Sequence, residues 1–208
     1  MEKNINLTML TDFYELTMAN GYFETGMADD IAYFDMFFRK VPDGGGYAIM
    51  AGVEQLIDYL KNLKFTEEDI DFLRSKDIFC EDFLQYLKDF KFECDVWAVP
   101  EGTPIFPREP IITVRAPAIQ AQLVETYLLL CVNHQSLIAT KSNRIVRAAE
   151  GRPVAEFGLR RAQEKLTVSS GTGWYVDEDD KWLWGLFYYD PHDRRIIVNN
   201  RVGINTTM

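Results

Sequence analysis

The longest regular pattern in the sequence is helical, and it directly follows a region with the pattern of β-strands. Across residues 117–149 apolar side chains recur at helical spacing, after a proline at a position where a helix start tolerates one. Residues 92–98 alternate apolar and polar side chains, and from there to residue 115 prolines divide the sequence into short β-like runs. We therefore predict an α+β fold. We expect the long helix to break near Asn133 and His134 and to end at Gly151.

The first half of the sequence predicts further helices and one more strand. Asp12 and Glu15 have the spacing of a capping box, so a helix should begin near residue 12. Residues 31–38 form an apolar run rich in aromatics, which indicates a buried strand. Three more helices should begin near Val53, after Thr66 and around residue 81.

Composition restricts the partners and the compartment. The formal charge is −10 and the pI is about 4.7, and such a surface repels nucleic acid and anionic membranes unless basic residues cluster locally. The three cysteines lie far apart without C-x-x-C pairing, so neither a disulfide framework nor a zinc site is indicated. The N-terminus has no apolar leader, and the sequence has no apolar run long enough to span a membrane. We expect a cytoplasmic protein with no nucleic-acid partner, no membrane partner and no metal ligands in this chain.

One basic segment interrupts this acidic chain, between residues 141 and 165. Its basic residues are Lys141, Arg144, Arg147, Arg152, Arg160, Arg161 and Lys165. The first three either help to bind an anion or simply solvate one face of the long helix. Arg160 and Arg161 follow a short predicted strand and Gly158, a strand-end position where α/β proteins commonly place ligand groups. Because a guanidinium fork matches carboxylate and phosphate, this pair is a candidate anion site.

Other catalytic arrangements are not indicated, so the catalytic residues stay unassigned. His134 and His192 are the only histidines, which excludes a histidine-rich metal site, and a lone helical histidine is more often a packing residue than a catalyst. The triple glycine at 44–46 matches neither G-x-x-x-x-G-K-[ST] nor G-x-G-x-x-G. It predicts a turn rather than a phosphate loop.

Several short strings stand in a fixed order along the first three quarters of the sequence. They are LTDFYELTM at 10–18, FFRKVP at 37–42 followed by the triple glycine and AG at 51–52, EGTP at 101–104 and PI at 110–111, NHQS at 133–136 with TK at 140–141, and EFGLRRAQ at 156–163. Together, in this order and spacing, they resemble the nicotinate phosphoribosyltransferase family.

The resemblance implies a fold and binding roles. The family is similar to the type II phosphoribosyltransferases, in which an N-terminal α+β domain accompanies an α/β-barrel and the active sites are shared within a homodimer. This chain would hold that domain and the start of a truncated barrel. Tyr14 matches an aromatic that stacks on the pyridine ring in the partner's site, and Phe157 matches the aromatic on the opposite face. Arg160 matches the arginine at the carboxylate of the ring, and Arg39 matches a phosphate-directed residue, to which we add Arg161.

The implied reaction joins nicotinate to phosphoribosyl pyrophosphate to form nicotinate mononucleotide, a step of NAD biosynthesis or salvage. ATP hydrolysis drives it, and Mg²⁺ is implied as well. Such chemistry depends on charge stabilisation by Arg, Lys and Mg²⁺ more than on a strong base.

The resemblance ends after Gln163, where the family continues into most of the barrel. We therefore predict a region 1–163, a junction at 164–172 and a small aromatic β-rich tail at 173–208, with a pair of hairpins. The tail faintly resembles an uncharacterised small bacterial domain. Without the missing half of the barrel, the chain alone should be inactive. The alternatives are a non-catalytic hybrid or remnant that acts as a dimerisation or anion-binding module, and a generic anion-binding α+β protein.

Overall fold

The structure, a computed structural model, describes residues 6–41 and 44–154 together with the backbone of four strands between residues 174 and 198. The helices are α1 Phe13–Glu24, α2 Val53–Asn62, α3 Glu67–Arg74, α4 Glu81–Lys88, α5 Ala118–Leu123 and α6 Glu125–Ala149. The strands are β1 Ile31–Met36, β2 Ala48–Ile49, β3 Asp95–Ala98, β4 Pro104–Ile105, β5 Ile112–Pro117, β6 Trp174–Val176, β7 Trp182–Trp184, β8 Phe187–Asp190 and β9 Arg195–Val198. The predicted mixture of helices and strands is confirmed.

The chain divides into two compact units that interleave along the sequence. The first unit comprises residues 1–36, 56–98 and 112–130, and the second comprises residues 37–55, 99–111 and 131–208. Neither unit is therefore a continuous stretch of sequence. The predicted boundaries around residues 164–172 lie outside the described residues and stay predictions.

A three-stranded antiparallel sheet, in the order β1-β5-β3, belongs to the first unit. Its central strand β5 alternates buried and half-buried residues, so Ile112, Val114 and Ala116 share one buried face. Helix α5 packs against β5 and β1. The helices supply much of the remaining core through the buried side chains of Leu16, Leu56, Ile70, Leu73, Phe83, Leu84 and Leu87.

Strand β1 forms within the predicted segment 31–38, but the prediction that it is buried is wrong. Only its last residue is buried, and Tyr33 is 63% exposed. The Tyr33 hydroxyl accepts a hydrogen bond from Arg115 Nε over 3.0 Å, and the Asp35 carboxylate accepts one from the Thr113 hydroxyl. An apolar run indicates a buried strand only where both faces of the sheet are covered. Here β1 lies at one edge of the described sheet, and the face with Tyr33 and Asp35 stays in solvent.

Two of the predicted helix starts differ in their caps. Helix α3 has a complete capping box, in which the Asp69 N–H donates to Thr66 Oγ1 over 3.2 Å and the Thr66 N–H donates to Asp69 Oδ2 over 2.7 Å. Helix α1 begins at the predicted place, but the predicted capping box is wrong because Asp12 makes no side-chain cap. Glu15 instead accepts a hydrogen bond from Thr126, far along the chain. The N–H of Asp12, which a capping box would pair with the Glu15 carboxylate, donates to Thr126 instead.

The prediction of a break near Asn133 and His134 is wrong, and the long helical stretch is interrupted earlier. Val124 separates α5 from α6, and α6 then continues without interruption past Asn133 and His134. The polar residues there do not end the helix, and polar side chains that follow them on α6 bond to a neighbouring backbone segment of the second unit. The helix ends as predicted, with Glu150 and Gly151 both at positive φ. Within the described residues no helix combines the length and apolarity that crossing a membrane requires.

The backbone of the tail contains an antiparallel sheet in the order β6-β7-β8-β9. In the hairpin of β8 and β9, Tyr188 lies opposite Ile197 and Asp190 lies opposite Arg195. The independence of the tail and its resemblance to a small bacterial domain stay predictions.

We expect that Thr66→Ala lowers the free energy of unfolding by about 1 kcal/mol, because it removes the hydroxyl that caps α3. Urea denaturation of the purified chain measures this change. Thr17→Ala is the control, since Thr17 is an exposed helical threonine and its loss should change stability by less than about 0.5 kcal/mol. Equal losses in the two variants would contradict the role of the cap.

Candidate functional site

A buried carboxylate holds the start of α1 in the first unit. Glu15 is 0% exposed, and its two carboxylate oxygens accept hydrogen bonds from two threonines. The Thr126 hydroxyl, at the start of α6, donates to Oε1 over 2.7 Å, and the Thr11 hydroxyl donates to Oε2. The N–H of Asp12 donates to the same Thr126 oxygen over 3.1 Å. Because a buried carboxylate is costly unless it is hydrogen-bonded, these contacts fix the start of α1 against the start of α6.

We call the hydrogen bonds of Glu15 with Thr11 and Thr126 the clamp. Burial also raises the pKa values of groups around it. The pKa of Glu15 is raised by burial, partly offset by the threonine hydrogen bonds and then raised further by the charges of Glu125 and Asp12. Tyr59 is buried, and its ring stacks on Tyr127 with the ring centroids 4.0 Å apart. The Tyr59 hydroxyl has no hydrogen-bond partner within the described part of the chain. Burial raises the pKa of Tyr59, and the nearby Glu15 raises it further, so the phenol stays neutral.

Tyr14 directly precedes the buried Glu15, but its side chain is exposed to solvent. Its side chain is 49% exposed in the first turn of α1. The pKa of Tyr14 is raised, first by partial desolvation and then by the negative charges of Glu125, Glu15 and Asp12, so the ring stays uncharged at neutral pH. An exposed aromatic on an anchored backbone presents a flat face to a ring from outside the chain.

In the second unit, hydroxyl groups of α6 hold the segment that contains β2. The N–H of Ile49 donates to Thr140 Oγ1 over 2.8 Å, and the N–H of Ala51 donates to Ser136 Oγ over 3.1 Å. The Ser136 hydroxyl in turn donates to the carbonyl of Ala51 over 3.2 Å. Two residues of the strings quoted above thus satisfy buried backbone groups.

Gly52 lies where the backbone of this segment is in close contact with α6. Its φ is +104°, and an added Cβ would lie 3.2 Å from the Cys131 carbonyl oxygen and from Val132 Cα. The side-chain amide of Gln135 donates to Gln55 Oε1 over 2.8 Å, and the Cys131 thiol donates to the same oxygen over 3.2 Å. Burial raises the pKa of Cys131 to about 12, so the thiol keeps the proton that it donates. Only glycine fits at position 52.

Glu101 caps helix α2 from a distant part of the sequence. Its Oε1 accepts hydrogen bonds from the N–H groups of Gly52, Val53 and Glu54, over 2.8, 2.7 and 3.3 Å. These are orphan donors at the positive end of the helix dipole. The start of α2 therefore holds a carboxylate of the same chain, where a phosphate could otherwise bind.

The glycine turn of the second unit packs against arginines of α6. A Cβ at Gly45 would collide with the Arg144 guanidinium, which occupies that space. Arg147 Nη1 donates to the Tyr47 hydroxyl over 3.1 Å, and this hydroxyl donates to Asn143 Oδ1 over 3.1 Å. The α6 arginines thus do more than solvate a helix face. They bring positive charge to the turn at 44–46.

The structure places two of the five predicted binding residues. Tyr14 lies at the exposed start of α1 in the first unit, and Arg39 is exposed in the second unit, shortly after β1. Phe157, Arg160 and Arg161 lie outside the described residues, so their roles stay predictions.

The sequence analysis missed the two carboxylates that organise these regions. Glu15 was interpreted as part of a capping box, although Ala19, one turn later on the same helix face, is an apolar residue that the structure buries. That shared face was the available signal. Glu101 carried no local signal, because the helix that it caps begins 48 residues earlier in the sequence.

Sequence comparisons identify relatives of this chain. The family described as nicotinate phosphoribosyltransferase (NAPRTase) N-terminal domain matches residues 9–133. Nicotinate phosphoribosyltransferase pncB2 of Mycobacterium tuberculosis is 46% identical over 154 residues, which cover 74% of this chain and 33% of the relative. The nicotinate phosphoribosyltransferase of Bacillus subtilis is 43% identical over 162 residues, which cover 78% of this chain and 33% of the relative. The chain thus spans about a third of the length of these relatives.

Solved structures agree with the sequence comparisons. The crystal structure of human nicotinic acid phosphoribosyltransferase superposes with a TM-score of 0.67 at 38% identity, covering 76% of this chain and 32% of the human chain. Nicotinate-nucleotide pyrophosphorylase from Pyrococcus furiosus superposes with a TM-score of 0.58 at 24% identity, covering 78% of this chain and 34% of that protein. The second match shows a shared fold only.

We expect Glu15→Gln to become more stable relative to the wild type as the pH rises above 4.5, the ordinary pKa of a glutamate. Folding raises the pKa of Glu15, so its contribution to stability is complete at low pH and is lost as the pH rises through the raised value. Urea denaturation across a pH series measures the difference. Glu81→Gln is the control of opposite sign, because the hydrogen bond from Arg74 lowers the pKa of Glu81. A pH-independent difference for Glu15→Gln would contradict the assignment.

Proposed function

The chain belongs to the nicotinate phosphoribosyltransferase family, and we propose that it is part of an enzyme that forms nicotinate mononucleotide from nicotinate and phosphoribosyl pyrophosphate. ATP hydrolysis drives the reaction in this proposal, and the product enters NAD biosynthesis or salvage. Since the chain spans about a third of its relatives, the remaining groups of the site must come from additional sequence.

The observation that best supports a ring-binding role is the exposure of Tyr14 on an anchored helix start. Its neighbour Glu15 is bonded to Thr11 and Thr126, while about half of the Tyr14 surface faces solvent. Stacking on a pyridine ring contributes roughly 0.5–1.5 kcal/mol beyond the burial of area. We assign Tyr14 to one face of nicotinate in the site of a second subunit, and Phe157 to the other face.

The carboxylate of nicotinate pairs with Arg160 in this proposal. A guanidinium donates two parallel hydrogen bonds to a carboxylate, whereas an amide offers only one acceptor oxygen and no charge. The pair would therefore select nicotinate over nicotinamide.

The phosphates of phosphoribosyl pyrophosphate are assigned to Arg39 and Arg161. Among the described residues, the second unit contains more Lys and Arg than Asp and Glu, although the chain as a whole is acidic. Arg39 and the arginines beside the turn at 44–46 belong to that unit. A local excess of positive charge in an acidic protein favours an anionic ligand there.

Magnesium and ATP are assigned to the part of a full-length protein beyond this chain. The described ranges 6–41 and 44–154 contain no group of three or more His, Cys, Asp or Glu residues placed to hold a metal ion. The described residues therefore do not fit a magnesium site.

A homodimer follows from the same proposal, because Tyr14 would serve the site of the other subunit. The alternative is a non-catalytic hybrid that keeps the dimerisation or anion-binding surface. The limited share of the relatives that the chain covers favours this alternative for the chain in isolation.

We expect the isolated chain to form no nicotinate mononucleotide from nicotinate, phosphoribosyl pyrophosphate, ATP and Mg²⁺. Its two histidines, His134 and His192, do not replace the phosphorylated histidine that the family resemblance places beyond residue 163. Chromatographic detection of the product tests this, with the Bacillus subtilis relative as the positive control. Clear turnover by the chain would show that the missing portion is not required.

We expect the chain, where it binds ligand, to bind nicotinate about ten-fold more tightly than nicotinamide, because a charge-assisted pair replaces a neutral hydrogen bond. Arg160→Ala should abolish this preference. Tyr14→Ala should weaken both ligands alike through lost stacking. Calorimetry with both ligands measures these affinities.

Tyr33→Ala is the matched control, because Tyr33 is an exposed tyrosine of the same unit with no assigned ligand role. It should leave both affinities unchanged. Equal affinities of the wild type for nicotinate and nicotinamide would remove Arg160 from its role. No binding by any form would favour the non-catalytic hybrid.

A further inference from the structure

We propose that Glu15 is the positioning residue for Tyr14 and acts through its hydrogen bonds with Thr11 and Thr126; this rests on the proposed ring-binding role of Tyr14. Glu15 does not touch the ligand in this proposal. It fixes the backbone from which the Tyr14 ring projects.

The position of Tyr14 does not come from burial of its own ring, which is 49% exposed. It does not come from a side-chain cap either, because Asp12 makes no such bond. The first turn of a helix has unpaired N–H groups and frays unless they are held. Here the Glu15 carboxylate and the Asp12 N–H converge on the single hydroxyl of Thr126, which replaces the missing cap.

Within the ranges 6–41 and 44–154, the charged groups that act on Glu15 are acidic. Asp12 from the start of α1 and Glu125 from α6 are acidic, and the neutral Tyr59 belongs to α2. An ion pair with these groups is therefore not what holds Glu15. A threonine hydroxyl both donates and accepts, so it bonds a carboxylate, a carboxylic acid or an amide in the same place.

Because a threonine hydroxyl binds charged and neutral partners alike, variants can remove the hydrogen bonds of Glu15 separately from its charge. Glu15→Gln keeps a donor and an acceptor at the clamp, and Thr126→Ser keeps the hydroxyl. Glu15→Ala and Thr126→Val remove the bonds, and valine keeps the size of threonine. The four variants thus show whether the position of Tyr14 depends on the hydrogen bonds of Glu15 or on its ionisation.

The full chain labelled with 3-fluorotyrosine provides a test that needs no ligand. The Tyr14 fluorine resonance is identified by its absence from Tyr14→Phe. We expect Glu15→Ala and Thr126→Val to move this resonance toward its position in the urea-unfolded chain, while the other tyrosine resonances stay in place. Glu15→Gln and Thr126→Ser should retain the wild-type position. Thr25→Ala, at the opposite end of α1, is the control.

A general loss of fold would move all the tyrosine resonances, so a selective shift at Tyr14 reports positioning. An unchanged Tyr14 resonance in both Glu15→Ala and Thr126→Val overturns the proposal. Collapse of every resonance in these two variants also overturns it, because Glu15 would then serve the whole unit rather than Tyr14.

Nicotinate binding by calorimetry gives the functional readout. Tyr14→Ala and Glu15→Ala should each weaken binding about three- to ten-fold, and the double variant should lose no more than either single one. Additive losses would overturn the proposal. If the wild-type chain binds no nicotinate, the proposed function loses its support in this chain, and the fluorine spectra still decide whether Glu15 positions Tyr14.

Discussion

The buried carboxylate of Glu15 is the polar contact on which the start of α1 depends in the first unit. A carboxylate leaves water only where hydrogen bonds replace its hydration, and here both oxygens receive one from a threonine. Because Thr126 lies more than a hundred residues from Glu15 in sequence, this requirement joins the start of α1 to the start of α6. In the positioning proposal, the exposed position of Tyr14 follows from this arrangement rather than from contacts made by its own ring.

The same rule organises the second unit, where side chains satisfy backbone groups that no regular sheet would pair. Ser136 and Thr140 hold the segment with β2, and Glu101 receives the first N–H groups of α2. All three residues belong to the strings through which the chain resembles its family. Some residues in those strings therefore stabilise the fold rather than take part in catalysis. A match to the strings does not by itself identify a catalytic residue.

The binding groups proposed for this family are distributed over more chain than is described. The aromatic residue proposed to bind the ring, Tyr14, lies in the acidic first unit, and among the described residues an excess of positive charge lies in the second. Phosphoribosyl transfer depends on charges gathered around a developing charge, so in the proposed function a part of the site does not complete the reaction by itself. The family relationship and the proposed activity are for this reason separate conclusions, because the first rests on residues 9–133 and the second also requires groups beyond them.

The sequence alone determined the mixture of elements, because local patterns control it: the helical stretch that ends at Ala149, the proline-divided strands and the helix after Thr66 all formed as predicted. It also determined the family, through strings whose order is a property of the chain. The exposure of β1, the uninterrupted course of α6 and the role of Glu15 were decided by tertiary structure. Each depends on what a distant segment covers or bonds, and hydrogen bonds such as those of Glu15 with Thr126 and of Val53 with Glu101 leave no periodic signal in the sequence.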